Sequence, residues 1–163
     1  YATPLAELKA GTAVVNADAI KNALIGNIGG TIGETCAIAL IIGGIYLLVK
    51  HVISWRIPVV YIVVVFILTS LMRGNGFLGG VYEIFCGGLM LGAIFMATDY
   101  VTSPISAKGQ IIFAIGCGVL TSLIRVYGGY PEGVSYSILI MNLAVPLIDR
   151  VTRPRIFGEV KAK

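Results

Sequence analysis

Arg125 and Glu132 bracket Tyr127-Gly128-Gly129-Tyr130-Pro131, a Gly/Pro turn that carries two tyrosines. A planar guanidinium beside a carboxylate and aromatic rings can hold a phosphate or a flat ring; an ion pair that simply pins the loop is the alternative. Three further carboxylates lie in or beside apolar runs. Glu34, with Thr35, opens one apolar segment, and Glu83 reads as first-turn residue of another. Asp99 lies past the end of that second segment, within Ala97-Thr98-Asp99-Tyr100-Val101-Thr102-Ser103-Pro104. Carboxylates in such surroundings are costly and often mark an ion path. The plainer readings are a carboxylate at a helix N-terminus for Glu34 and Glu83, and an ordinary helix-exit turn for Asp99. Gly29-Gly30 with Gly33 reads either as a tight turn or as a nest of amides that attracts an anion. His51 sits in a basic loop and reads as a solvated residue. Cys36, Cys86 and Cys117 are odd in number, lack CxxC spacing and lie in apolar runs. They read as small buried hydrophobes, not as a disulfide framework or zinc site. No nucleophile triad, Walker loop or haem ligand pair is visible.

What must position these groups is a set of five apolar segments, about Gly33–Val49, Ile57–Met72, Val81–Ala97, Gly109–Tyr127 and Val134–Ile148. The chain is 57% hydrophobic and only 12% charged, with mean hydropathy +0.93. A bilayer core of about 30 Å takes about 20 apolar helical residues. Backbone groups in lipid must be satisfied internally, which leaves helices or closed barrels. Alternating strands are absent from the pattern, so the fold class expected is an all-α polytopic membrane protein. Several segments are short for a perpendicular span, which predicts tilted or broken helices. Glycines at Gly43-Gly44, Gly87-Gly88 with Gly92, and Gly116 with Gly118 are expected to let helices pack closely.

Eight of the twelve Lys and Arg residues (Lys50, Arg56, Lys108, Arg150, Arg153, Arg155, Lys161 and Lys163) fall on one side of the alternating topology. The positive-inside rule makes that side cytoplasmic, so the +4 net charge is a topology signal and not a nucleic-acid one. Residues 1–30, the Arg73–Gly80 loop and the Gly128–Gly133 loop are then expected to face outward. Pro4–Lys9 and residues around Asn16–Leu24 read as two short helices of that outer segment, the first on the surface. The division expected is an extracytoplasmic segment 1–30, a helical membrane domain 31–150 and a basic cytoplasmic tail 151–163. The chain opens at Tyr1 without an initiator Met or signal-like leader, and is expected to be the C-terminal part of a larger subunit.

Six ordered blocks carry a family resemblance across nearly all of residues 29–157. They are Gly33-Glu34-Thr35-Cys36-Ala37, Ser54-Trp55-Arg56-Ile57-Pro58, Gly87–Ala93, Phe95–Pro104, Leu123–Gly133 and Pro146–Arg155. The chain resembles the C-terminal half of the D subunit of the Rnf complex, the ion-translocating ferredoxin:NAD oxidoreductase. The B subunit of the sodium-pumping NADH:quinone oxidoreductase is a relative. The resemblance implies FMN in phosphoester linkage on the last Thr of a Ser/Thr-Gly-Ala-Thr motif. Tyr1-Ala2-Thr3 occupies that place, with Tyr1 where the motif has Gly, so Thr3 is the implied attachment residue. It also implies a second, non-covalent flavin, riboflavin, and a urea-transporter-like fold of inverted halves with broken helices, one half being present here. Electrons would pass between flavins and iron–sulfur centres of neighbouring subunits, driving Na⁺ or H⁺ across the bacterial or archaeal cytoplasmic membrane. Arg125, Tyr130 and Glu132 are then candidate flavin contacts, and Glu34, Glu83 and Asp99 candidate ion-path residues. A small-solute channel of urea-transporter type, without flavin, is the competing expectation, and a scaffold that only anchors partners is a third.

Overall fold

The computed structural model describes residues 3–12, 14–74, 76–130 and 132–152. Among the described residues eight helices follow one another: α1 (Pro4–Lys9), α2 (Ala17–Ile25), α3 (Ala37–Val49), α4 (Arg56–Arg73), α5 (Gly76–Phe85), α6 (Leu89–Leu91), α7 (Ala107–Tyr127) and α8 (Val134–Thr152). A π-turn, Gly92–Met96, continues α6. Among the described residues there is no strand.

Why the solvent is lipid shows most clearly on α4. One of its stripes, Ile57, Tyr61, Val65 and Thr69, is buried at four-residue spacing. The opposing stripe, Val59, Val63, Ile67 and Leu71, is equally apolar and exposed. On α8 the exposed stripe Leu139, Leu143, Leu147 and Val151 repeats the pattern, with Leu143 82% exposed. A helix apolar all round must meet either a protein core or hydrocarbon, and these outer stripes meet no protein. The three helices α4, α7 and α8 have 18, 21 and 19 residues and are apolar enough to span. At 1.5 Å per residue they reach about 27–32 Å, the thickness of a bilayer core. The chain is a multi-pass membrane protein.

The fourth span is broken. α5 and the Leu89–Met96 run pass the same apolar test together but bend by 66° between them. The fifth apolar helix, α3, has 13 residues. Two expectations need correcting here. The Arg73–Gly80 stretch is not an outer loop, because α5 already begins at Gly76. Gly87-Gly88 do not lie within a helix; they are the break itself, with Gly87 at φ +70, and α1 approaches Gly87 closely through Leu5.

The core lies where α4, α7 and α8 meet the second half of the broken span: Tyr61, Leu89, Ala93, Phe113 and Ile138 are all buried. Small residues set the spacing, since a Cβ on Gly118 would lie 2.6 Å from Val64 Cγ1, and one on Gly44 2.9 Å from Ile94 Cγ2. Inside this core the hydroxyls of Tyr61, Thr121 and Ser137 bond one another at 2.7, 3.0 and 2.6 Å. Ser137 also donates to the Val134 carbonyl. Interhelical polar contacts of this kind hold membrane helices where burial against lipid supplies little drive. Cys86 and Cys117 are buried free thiols in the two main clusters, as the apolar reading expected, whereas Cys36, the residue that precedes α3, is only half-buried.

Polar contacts divide into two ends. At one end Lys9 Nζ donates to the Gly128 carbonyl and Arg73 to the Arg125 carbonyl. At the other, Ser54 donates to Gln110, Ser106 to Thr152, and the Ile105 amide to Asp149. The expected outer regions 1–30 and Gly128–Gly133 therefore meet at one end, and the loops around Lys50–Arg56 and Lys108 at the other. The tail from Arg153 onward lies outside the described residues.

Candidate functional site

Thr3 is the N-cap residue of α1, with φ −69 and ψ 148, yet its side chain bonds no amide of that helix. Its Oγ1 is buried and has no hydrogen-bond partner among the described residues. Thr3 lines a cleft of about 320 Å³ together with Thr31, Tyr130, Glu132, Ser135 and Tyr136. The Tyr130 and Tyr136 rings stand 5.9 Å apart with a 35° interplanar angle. A cleft of this size with aromatic walls and a few polar groups is the usual form of a cofactor site.

Beneath the cleft, the helix break gathers charge. α5 ends at Phe85; the Cys86 amide still bonds the Tyr82 carbonyl, but the break removes the helical amides that would receive the carbonyls after it. Arg125, fully buried on α7, takes that role: Nη1 donates to the Glu83 carbonyl at 2.8 Å and Nη2 to the Cys86 carbonyl at 3.5 Å. A cation at the negative end of a half-helix is also favoured by the dipole. Glu83 is 1% exposed and pairs with Arg73 Nε at 3.0 Å. Arg73 in turn donates to the Arg125 carbonyl. Gly87 and Gly88 form the surface on which everything rests. A Cβ on Gly87 would lie 2.5 Å from Leu5 Cδ1, 3.4 Å from Glu132 Oε1 and 3.5 Å from Arg125 Nη2. A Cβ on Gly88 would lie 2.9 Å from Glu34 Oε2 and 3.9 Å from Glu132 Oε2. Burial pushes the Glu132 carboxyl up from its usual range, the neighbouring Glu34 pushes it further, and Arg125 opposes both.

Of the expected flavin contacts, Tyr130 and Glu132 share the cleft with Thr3, whereas Arg125 lies behind it and holds the helix break. Of the expected ion-path residues, Glu34 and Glu83 lie at this same end. Glu34 does not begin a helix, since α3 starts at Ala37; its Oε1 accepts the Thr31 amide at 3.1 Å and closes the Gly30–Gly33 turn. This is the tight-turn arrangement, with the carboxylate occupying the amide. Glu83 is not in a first turn either, being near the C-terminal end of α5. Asp99 stands apart in an exposed turn at the opposite end, accepting from Thr102 at 3.2 Å. α1, expected on the surface, buries Leu5 and Leu8 against Tyr82 and Cys86. Sequence reasoning missed Thr31 and Tyr136. Tyr136 opens α8 one turn after Gly133, and its ring partner Tyr130 was the available signal.

The whole of residues 1–158 matches the family described as NQR2, RnfD, RnfE. The chain belongs to that family. The D subunit of the Na(+)-translocating ferredoxin:NAD(+) oxidoreductase complex of Acetobacterium woodii is 52% identical over 163 residues, covering 99% of this chain and 50% of that protein. Its counterpart in the proton-translocating ferredoxin:NAD(+) oxidoreductase complex of Clostridium ljungdahlii is 55% identical over 141 residues, 85% of this chain and 43% of that one. The D subunit of the ion-translocating oxidoreductase complex of Stutzerimonas stutzeri is 46% identical over 145 residues, 86% of this chain and 40% of that one. The chain thus spans about half the length of the curated relatives it matches. Two relatives of nearly equal identity are named for different ions, so overall similarity does not select between Na⁺ and H⁺.

Proposed function

We propose that this chain forms the C-terminal membrane half of the D subunit in an ion-translocating ferredoxin:NAD oxidoreductase complex of the cytoplasmic membrane, and carries FMN esterified to Thr3. The observation that carries the reading is Thr3 itself, which lines the Tyr130–Tyr136 cleft while its buried hydroxyl caps nothing. An unspent buried hydroxyl is costly to leave unmade, and a phosphoester would give it a use. The residues fit the group. Thr3 would hold the phosphate, the two tyrosines would line one side of the ring, and Glu132 would place a carboxyl beside it.

When bound, the isoalloxazine supplies the redox chemistry, and the protein supplies position and electrostatics. The chain's own part is structural and electrostatic. Leu5 wedges α1 against Gly87, which fixes Thr3 relative to the break. Arg125 keeps the two half-helices at their 66° angle by holding the carbonyls of Glu83 and Cys86. Glu34 and Glu83 would lie on the outer part of an ion path, and Asp99 at its opposite mouth. The neighbouring subunits of the complex are its partners in this reading, and the outer stripes of α4 and α8 contact lipid or those subunits.

Replacing Thr3 by Val in the full-length subunit within its complex is expected to abolish the flavin fluorescence that stays with the denatured polypeptide, while Thr3→Ser retains it. Fluorescence that persists in the Val variant overturns the assignment.

A further inference from the structure

The end opposite the flavin cleft holds a second cavity, of about 600 Å³, that the redox reading leaves unused. Its wall includes His51, Ser54, Trp55, Arg56, Tyr100 and Gln110. Two basic side chains face it and, among the described residues, no carboxylate does. Arg56 is the first residue of α4, whose N-terminus has no side-chain cap because Trp55 occupies that position. The free amides of that first turn therefore add to the positive potential of the cavity. His51 enters the wall at a conformational cost. It occupies the left-handed position that ends α3, with φ 56, the one non-glycine residue so placed among those described. Its amide donates to Leu48 and that of Val52 to Leu47, at 3.0 and 2.9 Å, the paired bonds of a helix-ending motif that glycine usually supplies.

The cavity does not stop at its polar wall. Leu48 and Ile53 also line a smaller groove of about 130 Å³ between α3, α4 and the π-turn. The other residues of that groove, among them Ile45, Pro58, Val59 and Ile94, are all apolar apart from Gly44. Ile45 and Val59 are 54% and 46% exposed on the lipid-facing surface. A pocket that carries Arg56 and an amphipathic Trp thus shares Leu48 and Ile53 with an apolar groove between α3 and α4. We propose that this composite site binds one anionic phospholipid, its headgroup phosphate against Arg56, His51 and Ser54 and an acyl chain in the α3–α4 groove. The charge complements an anionic headgroup, and the site lies at the end that the positive-inside count makes cytoplasmic. A soluble phosphate would use only the polar half.

The test is native mass spectrometry of the full complex released from nanodiscs of equal phosphatidylglycerol and phosphatidylcholine. The expected result is one phosphatidylglycerol retained on the full-length form of this subunit in preference to phosphatidylcholine. Arg56→Gln should weaken retention roughly fivefold, the scale of one basic residue at an anionic surface, and Arg56→Lys should restore most of it. Val59→Trp, which fills the groove and leaves Arg56 in place, should also reduce retention. Equal retention of both lipids in the unaltered complex overturns the proposal without recourse to any variant. So does complete displacement by inorganic phosphate, which would mark a site for free anions, or unchanged retention in Val59→Trp.

Discussion

At Thr3 the side chain departs from what its position leads one to expect. N-cap threonines normally accept an amide of the first turn, worth roughly 1 kcal/mol; here Oγ1 accepts none. Substituting Thr3 by Val should therefore leave α1 and the thermal stability of the flavin-free subunit nearly unchanged while removing the covalent flavin, a separation read by comparing Tm with in-gel fluorescence. Glu132 carries a pH signature. Burial and Glu34 raise its native affinity for a proton above that of the unfolded chain. The native state then binds more protons over that interval, so stability is fully present below the unfolded carboxylate value and falls as pH rises through the native one. Glu132→Gln should flatten this loss in a Tm-against-pH series. A slope identical to that of the unaltered chain would contradict the assignment. None of this could be read from residue types alone, because the cleft requires Tyr136 and Thr31, which lie far apart in sequence.

The helices show where local reading succeeds and where it does not. The spans near Ile57–Met72, Gly109–Tyr127 and Val134–Ile148 are found as Arg56–Arg73, Ala107–Tyr127 and Val134–Thr152. Long apolar runs in lipid leave the backbone no alternative to helix. The broken span was misread at its start because Gly76, Gly79 and Gly80 lower helix propensity in water. In the folded chain that stretch packs against Phe66 and Ser70 of α4, with Gly80 at the contact, so packing selects the glycine that propensity disfavours. Gly87 is the most constrained of these residues, by φ and by Leu5 together. Gly87→Ala should destabilise the protein by about 1–2 kcal/mol from the left-handed backbone alone, and more from the clash, read as a lowered Tm in detergent. His51→Gly should act in the opposite direction, raising stability by about 0.5–1 kcal/mol by relieving the same kind of backbone at the end of α3.

Across the whole molecule, the two polar ends carry different equipment. One end holds an orphan hydroxyl, paired tyrosines and a buried Arg73–Glu83–Arg125 chain around a helix break. The other holds a cationic cavity that opens toward lipid. Charge asymmetry along the sequence made this polarity legible in advance, and the broken helix explains how a chain of five apolar segments brings polar groups to the level of a span. Removing Arg125, for example as Arg125→Met, would strand two buried carbonyls and is expected to cost roughly 2–4 kcal/mol, enough to disturb assembly. Whether the Thr3 oxygen bears FMN decides the proposal. Peptide mass spectrometry of this protein from the purified complex should find the increment of FMN less one water on the Thr3 peptide, localised by fragmentation to Thr3; an unmodified Thr3 peptide, or the same increment on another residue, would contradict it.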